Sequence, residues 1–163
     1  MVSPRFVVAA ALVGAMAGGS SSLSGQVMPD PTPPATEAAI RSSLREMRAA
    51  AERMDAEALY AFVLDTRVPP VIENGVLAST RQVALERTTL GFQGLASLSY
   101  LYNHESIVML SANTALWIGD GTASARLEDG RELSIPFAET VVLVEDAGLW
   151  KVLHAHRSVP NRQ

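Results

Sequence analysis

The sequence has no cysteine among its 163 residues. That excludes disulfides, thiolate metal sites, a cysteine nucleophile and the lipid anchor that bacterial chains carry on a cysteine. It also lacks a strong excess of either charge: 13 Lys and Arg stand against 17 Asp and Glu, a formal net charge of −4. Neither a nucleic acid nor an anionic membrane surface is an attractive partner for such a chain. There is no G-x-G-x-x-G, no P-loop and no nucleophile-elbow sequence, so a nucleotide cofactor and a Ser-His-Asp triad are both unsupported, and no cofactor is expected. The apolar run Phe6 to Ala17 is short against the ~20 residues that a bilayer span needs.

What is present begins with that run. Arg5 supplies a positive charge before it, and Ala15-Met16-Ala17 fits the small-x-small rule for cleavage. Residues 1–25 are therefore read as a signal peptide. The stretch that follows, GGSSSLSGQVMPDPTPP, has the composition of flexible or extended chain, and residues 26–35 are read as linker. The domain proper is expected over 36–160, long enough for a single core. It would be periplasmic or secreted, with no stable membrane span after cleavage.

Ile40, Leu44, Met47, Ala51 and Met54 recur at helical spacing, which predicts one apolar stripe with Arg41, Arg45, Glu46, Arg48 and Glu52 on the solvent side. Asp55 is placed to cap a second, shorter helix that buries Leu59, Phe62 and Val63, until Pro69-Pro70 stops it. Val71-Ile72 and Val76-Leu77 flank Glu73-Asn74-Gly75, a tight hairpin. Ser79-Thr80-Arg81-Gln82 has capping-box spacing for a third helix running to Gly91 or Gly94. Beyond Gly94 the chain turns β-prone: Leu98–Leu110, Thr114–Leu127, Glu132–Val144 and Leu149–Ser158, joined by short turns and hence antiparallel. The expected class is α+β, with three N-terminal helices packed on one face of a curved antiparallel sheet.

This order, ending in Asp146-Ala147-Gly148-Leu149-Trp150-Lys151-Val152-Leu153-His154-Ala155-His156-Arg157-Ser158, resembles the nuclear transport factor 2-like superfamily, especially its SnoaL-like and calcium/calmodulin-dependent kinase II association-domain branches. The resemblance spans about residues 36–160, with further support from Asp55-Ala56-Glu57-Ala58. It implies a cone, in which the helices cover the concave sheet face and leave a pocket, while the other face commonly makes a dimer. In the association-domain branch the arginine of His-x-His-Arg-Ser points into that pocket and helps to hold small carboxylates, which makes Arg157 a ligand-binding candidate. A solvated strand-end arginine is the competing reading. Gly121 and Val141 stand where that branch carries further arginines, so its anion cage is not reproduced.

Strand alternation sorts the last segment. Trp150, Val152, His154, His156 and Ser158 are expected on one face, with Lys151, Leu153, Ala155 and Arg157 on the other. The alignment to the association-domain branch that places Gly121 and Val141 also implies Glu139 beside Arg157, with Trp117 on the neighbouring strand. Glu139 reads either as a catalytic base or as the partner in an internal salt bridge. Tyr60, near the break that closes the cone, is a ligand-contact candidate that could equally be core. Should the register be inverted, His156 replaces Arg157 at the site. A metal on His154 and His156 would need a third ligand, and His104 is the only other histidine, so no metal is assigned.

Three functions fit. The first is an exported domain binding a small, largely apolar molecule. The second is a cofactor-free isomerase, cyclase or dehydratase, with Glu139 moving a proton while Arg157 and Tyr60 or Tyr102 stabilise an oxyanion. The third is a non-catalytic structural homodimer. A homodimer through the outer sheet face is expected in any case, with His154 and His156 at or near it.

Overall fold

The computed structural model of the chain describes residues 32–160. The expected signal peptide and most of the expected linker lie outside the described residues. Helix α1 (Pro34–Glu52) starts two residues before the expected domain boundary, because proline is at home in a first helical turn, where its missing N–H has no partner to lose. Ile40, Met47 and Ala51 are buried as expected, together with Ser43 and Ala50. Met54 does not extend the stripe: the helix ends at Glu52 and Met54 turns into the left-handed region at φ 59°.

Asp55 caps α2 (Ala56–Tyr60), its carboxylate accepting from the Ala58 N–H at 3.0 Å. Phe62 and Val63 fall after this helix rather than on it. The chain there runs extended beside the last strand, where the Val152 N–H donates to the Phe62 carbonyl at 2.7 Å. The hairpin β1 (Val71–Glu73) and β2 (Val76–Ala78) turns through Asn74 and Gly75 at φ 52° and 78°, the pair of positive angles that a type I′ turn needs. Helix α3 (Arg81–Phe92) is capped by Thr80, one residue later than the capping-box reading placed it, with the Thr80 hydroxyl accepting from the Val83 N–H.

The meander follows as β3 (Leu95–Ser111), β4 (Thr114–Leu127), β5 (Glu132–Asp146) and β6 (Leu149–Ser158). The full sheet has the order β2-β1-β6-β5-β4-β3. It is mixed rather than wholly antiparallel, because β1 pairs with β6 in parallel. A parallel pair needs a long connection, and the whole of β2, α3 and the meander lies between these two strands. The helices pack on one face, over a core that includes Ile40, Met47, Tyr60, Trp117, Leu143 and Trp150. No described helix is long and apolar enough to cross a membrane.

One irregularity decides the site. Opposite β5, Val142 pairs with His154 and Leu143 with Val152, so Leu153 is an extra residue without a partner. Such a bulge interrupts alternation by one position. Trp150 and Val152, only 4% and 6% exposed, therefore lie under the helices with Arg157 instead of on the outer face with the histidines. The expected facing of Trp150 and Val152 is corrected accordingly.

The β5–β6 turn offers a stability test. Ala147 sits at φ 51° beside Gly148 at 81°, a conformation that suits asparagine better than alanine. Ala147→Asn is expected to stabilise the fold by about 0.5–1 kcal/mol in chemical denaturation. An unchanged or lower midpoint would contradict this account of the turn.

Candidate functional site

A cavity of about 730 Å³ lies between helices and sheet. Leu44 and Leu59 reach it from the helices, and Leu98, Ala123, Ile135 and Val141 from the sheet. Into this apolar wall the sheet sets a polar row. Glu73, Arg157, Glu139 and Gly119 are in register across β1, β6, β5 and β4. The Arg157 Nη2 donates to Glu139 Oε2 at 3.1 Å, and its Nη1 lies 4.0 Å from Glu73 Oε1. The guanidinium also faces the rings of Phe137 and Tyr100, at 5.0 and 5.4 Å from their centroids. Burial works against the Arg157 charge, but Glu139, Tyr100 and Glu73 outweigh it and raise its pKa above the ordinary value. It is held as a cation.

A second polar pair forms where β3, β4 and α1 meet. Trp117 is fully buried, and its indole lies across Gly119, where a Cβ would come within 2.5 Å of the ring. Glycine at 119 is thus what leaves the indole its place. Trp117 Nε1 donates to Glu105 Oε2 at 3.3 Å, and Arg48 Nη2 donates to the same oxygen at 3.4 Å. The Arg48 guanidinium stacks over the Tyr102 ring at 4.0 Å, and that ring meets Trp117 and Phe137 edge-on.

Arg48 and Glu52 were expected on the solvent side of α1. The structure turns Arg48 into the cavity wall, and the Glu52 carboxylate accepts from the Tyr100 N–H at 2.9 Å. Arg48 stands four residues after Leu44, at the edge of the apolar stripe, and its long stem carries the charge past that edge. The missed signal was this i+4 relation. The roles of Glu73, Tyr100 and Glu105 carried no local signal, since each depends on cross-sheet register.

Arg48 and Arg157 share one further property. The Nε of each is buried with no protein acceptor. Leaving such a donor unpaired costs about 1–3 kcal/mol, so a pair of them in one cavity wall is unusual.

Tyr60 is buried and lines the cavity, but its hydroxyl is tied to Thr88 Oγ1 at 2.9 Å. Its carbonyl is held by Arg81, fixing the end of α2 against α3. Tyr102 has its pKa pushed well above the usual tyrosine value, by burial first and by the Glu139 carboxylate second, so it remains a hydroxyl. A folded-state pKa above the unfolded one gives stability that is intact below the unfolded value of 10.0 and lost as pH rises beyond it. Between pH 10 and 11 this residue is expected to remove up to about 1.4 kcal/mol, a loss that Tyr102→Phe should abolish. An identical alkaline fall in the variant would refute the assignment.

The structure thus gathers Trp117, Tyr60, Glu139 and Arg157 around one cavity that His156 does not line, although Glu139 also borders the smaller cavity of His156. His156 lines a smaller cavity of about 310 Å³ with His104, Asp120, Thr140 and Ser158, on the outer sheet face. There the His104 Nδ1 meets Asp120 Oδ1 at 2.8 Å, and this hydrogen bond is the main cause of a lowered Asp120 pKa. His154 is pinned instead, its Nδ1–H donating to the Pro69 carbonyl at 2.7 Å. Among the described residues no group of three or more His, Asp or Glu side chains is arranged to hold a metal ion. At Gly121 a Cβ would run into the Leu101 carbonyl, so the position where the association-domain branch has an arginine is closed to any side chain here.

A cone of helices on a curved six-stranded sheet, with a cavity between, is the α+β nuclear transport factor 2-like fold, and comparison with solved structures shows the same. A candidate dehydratase of the nuclear transport factor 2-like family from Streptomyces avermitilis superposes with a TM-score of 0.71 at 17% identity, over 80% of this chain and 100% of that one. A candidate scytalone dehydratase from Novosphingobium aromaticivorans gives 0.70 at 15% identity, over 77% and 84%. A hexachlorocyclohexane dehydrochlorinase of LinA type 3 from Novosphingobium barchaimii gives 0.65 at 15%, over 78% and 88%. No family model matches the sequence, and no curated protein matches it.

Proposed function

We propose that the chain is an exported domain that binds a small, largely apolar molecule in the cone, against Trp117, Glu139 and Arg157. The observation that carries this reading is the 730 Å³ cavity, whose apolar lining is broken by fixed polar groups. Export rests on the charged, apolar and small-residue pattern of residues 1–25. Native mass spectrometry of protein purified from its source tests the binding. The expected result is an adduct of a few hundred daltons that Ala123→Trp, which fills the cavity, abolishes. A bare mass that also resists loading with apolar compounds would defeat it.

A second reading is favoured by the position of the Glu139 carboxylate, in the cavity wall beside Arg157 and within the field of the Tyr102 hydroxyl. There Glu139 would take a proton from a bound molecule while Arg157 or Tyr102 stabilises the oxygen that gains charge. The neighbouring folds named above include enzymes that eliminate water or hydrogen chloride, reactions that a positioned carboxylate base can serve. Glu139→Gln should then abolish turnover and spare binding. Turnover that survives this change would eliminate Glu139 as the base.

The domain is also proposed to pair with a second copy through the outer sheet face, where Leu101, Leu110 and Ile118 are 69%, 57% and 45% exposed. Sedimentation at neutral pH is expected to show a dimer that Ile118→Arg dissociates. A monomer at every concentration would end the proposal.

A further inference from the structure

Strand alternation carries an apolar face past the end of the core. At one end of the meander the inner residues of β4 and β5 are closed off: Ala115, Trp117, Val141 and Leu143 are all buried. At the other end the same two strands keep the same alternation. Ser124, Arg126, Glu132 and Ser134 fall on the outer face and are exposed, while Ala123, Ala125, Leu133 and Ile135 fall on the inner face and are only partly buried.

Register makes this inner face a trough. Tyr100, Ala123 and Ile135 stand in one row across β3, β4 and β5, and Leu98, Ala125 and Leu133 in the next. A methyl group is the floor of both rows, with a large side chain on either side. The walls are two strand spacings apart at the backbone, about 9–10 Å. Gly91 and Phe92, at the end of α3, line the same cavity, so the trough is part of the space between helices and sheet rather than an open face. Between it and the polar row lies a sill, where the Tyr102 and Phe137 rings meet edge to face at 5.3 Å across the bare backbone of Gly121. The cavity continues on both sides of that sill, from Glu139 and Arg157 to Ala125 and Leu133. From Gly119, level with Glu139, to Ala125 the strand runs about 20 Å.

We propose that the cone holds an elongated, chain-like apolar molecule, whose body crosses the aromatic sill and lies along β4 over Ala123 and Ala125. This rests on the reading of the cone as a binding site and adds the shape of the ligand to it. Apolar side chains kept in alternation where no core covers them leave surface that a bound chain buries. The alanine floor leaves room for an extended chain, and the leucine, isoleucine and tyrosine walls hold it from both sides. The length of the path suits about sixteen carbons, at ~1.25 Å per carbon for ~1.5 Å bonds in an extended chain. A compact molecule would fill only the end beside Glu139 and leave the trough wet.

Straight-chain 1-alkanols from octanol to tetradecanol, measured by equilibrium dialysis below their solubility limits, test the shape. Affinity is expected to rise about threefold to fourfold with each methylene through the whole series, the gain for burying that group. Ala125→Phe should stop the rise near decanol, whose end comes level with Ala123, and leave octanol within about twofold of the parent. Leu133→Ser, at a partly exposed position, should weaken tetradecanol and spare octanol, and it decides the matter if Ala125→Phe fails to fold. A series that is flat beyond octanol in the parent chain, or that neither variant shortens, overturns the shape and leaves the cone a binding site. A flat series together with loss of the dimer in Ala125→Phe would assign the trough to a second copy of the chain instead. If no alkanol binds up to its solubility, the binding-site reading falls, and this inference falls with it.

Discussion

Glu139→Leu is expected to lower the stability of the fold by about 2–3 kcal/mol, because it strands the Arg157 guanidinium beside two aromatic rings with only Glu73 in partial reach. The size follows from exposure: the Arg157 side chain is 25% exposed and that of Glu139 13%, so the effect falls short of the full cost of breaking a wholly buried pair. The double variant Glu139→Leu, Arg157→Leu should recover to within about 1 kcal/mol of the parent, since no unpaired charge then remains. Urea denaturation of the two singles and the double measures the coupling. Were the single and double variants equally unstable, the pair would not be an energetic unit and Glu139 would be acting through packing alone.

Trp117→Ala is expected to cost about 3–5 kcal/mol, the range for removing a large buried aromatic. Three losses coincide at this residue. The indole leaves an empty strip above Gly119, the Tyr102 ring loses its edge-to-face partner at 5.4 Å, and Glu105 loses one of its two donors. Trp150 remains as a fluorescence reporter of unfolding. A loss below about 1 kcal/mol would mean that the cavity wall collapses to fill the gap, and that Trp117 does not define its shape.

Much of the fold could be read from the sequence, because its signals are local. Asp55 caps by a contact with a residue three positions on, the start of α3 was placed to within one residue by the same kind of contact, and Asn74-Gly75 needs only its own backbone angles. The neighbourhood of Glu139 and Arg157 was legible only from the resemblance, since a register counted back from the Ala147-Gly148 turn pairs Glu139 with His156, and the bulge at Leu153 is what sets Arg157 opposite it. Three features were not. The parallel β1–β6 pair joins residues about eighty positions apart, with no turn to set them in register. Arg48 was hidden by a two-sided view of a helix, in which an edge position must be given to one side or the other. The bulge at Leu153 leaves no mark in the residue types around it, yet it decides which half of β6 faces the cavity.

That bulge has a consequence for how the strand can change by descent. A single-codon deletion within a strand ordinarily turns one end over relative to the other. Losing Leu153 would instead join two regular ladders, Leu143–Val152 to Val142–His154, with Trp150 and Arg157 still on the cavity side. Losing Lys151 or Ala155 would reverse one end and carry either the indole or the guanidinium out of the cone. Tolerance of length variation in this strand is therefore concentrated at one codon. Natural relatives that keep an arginine in the cone should differ in length there and at few other places in β6.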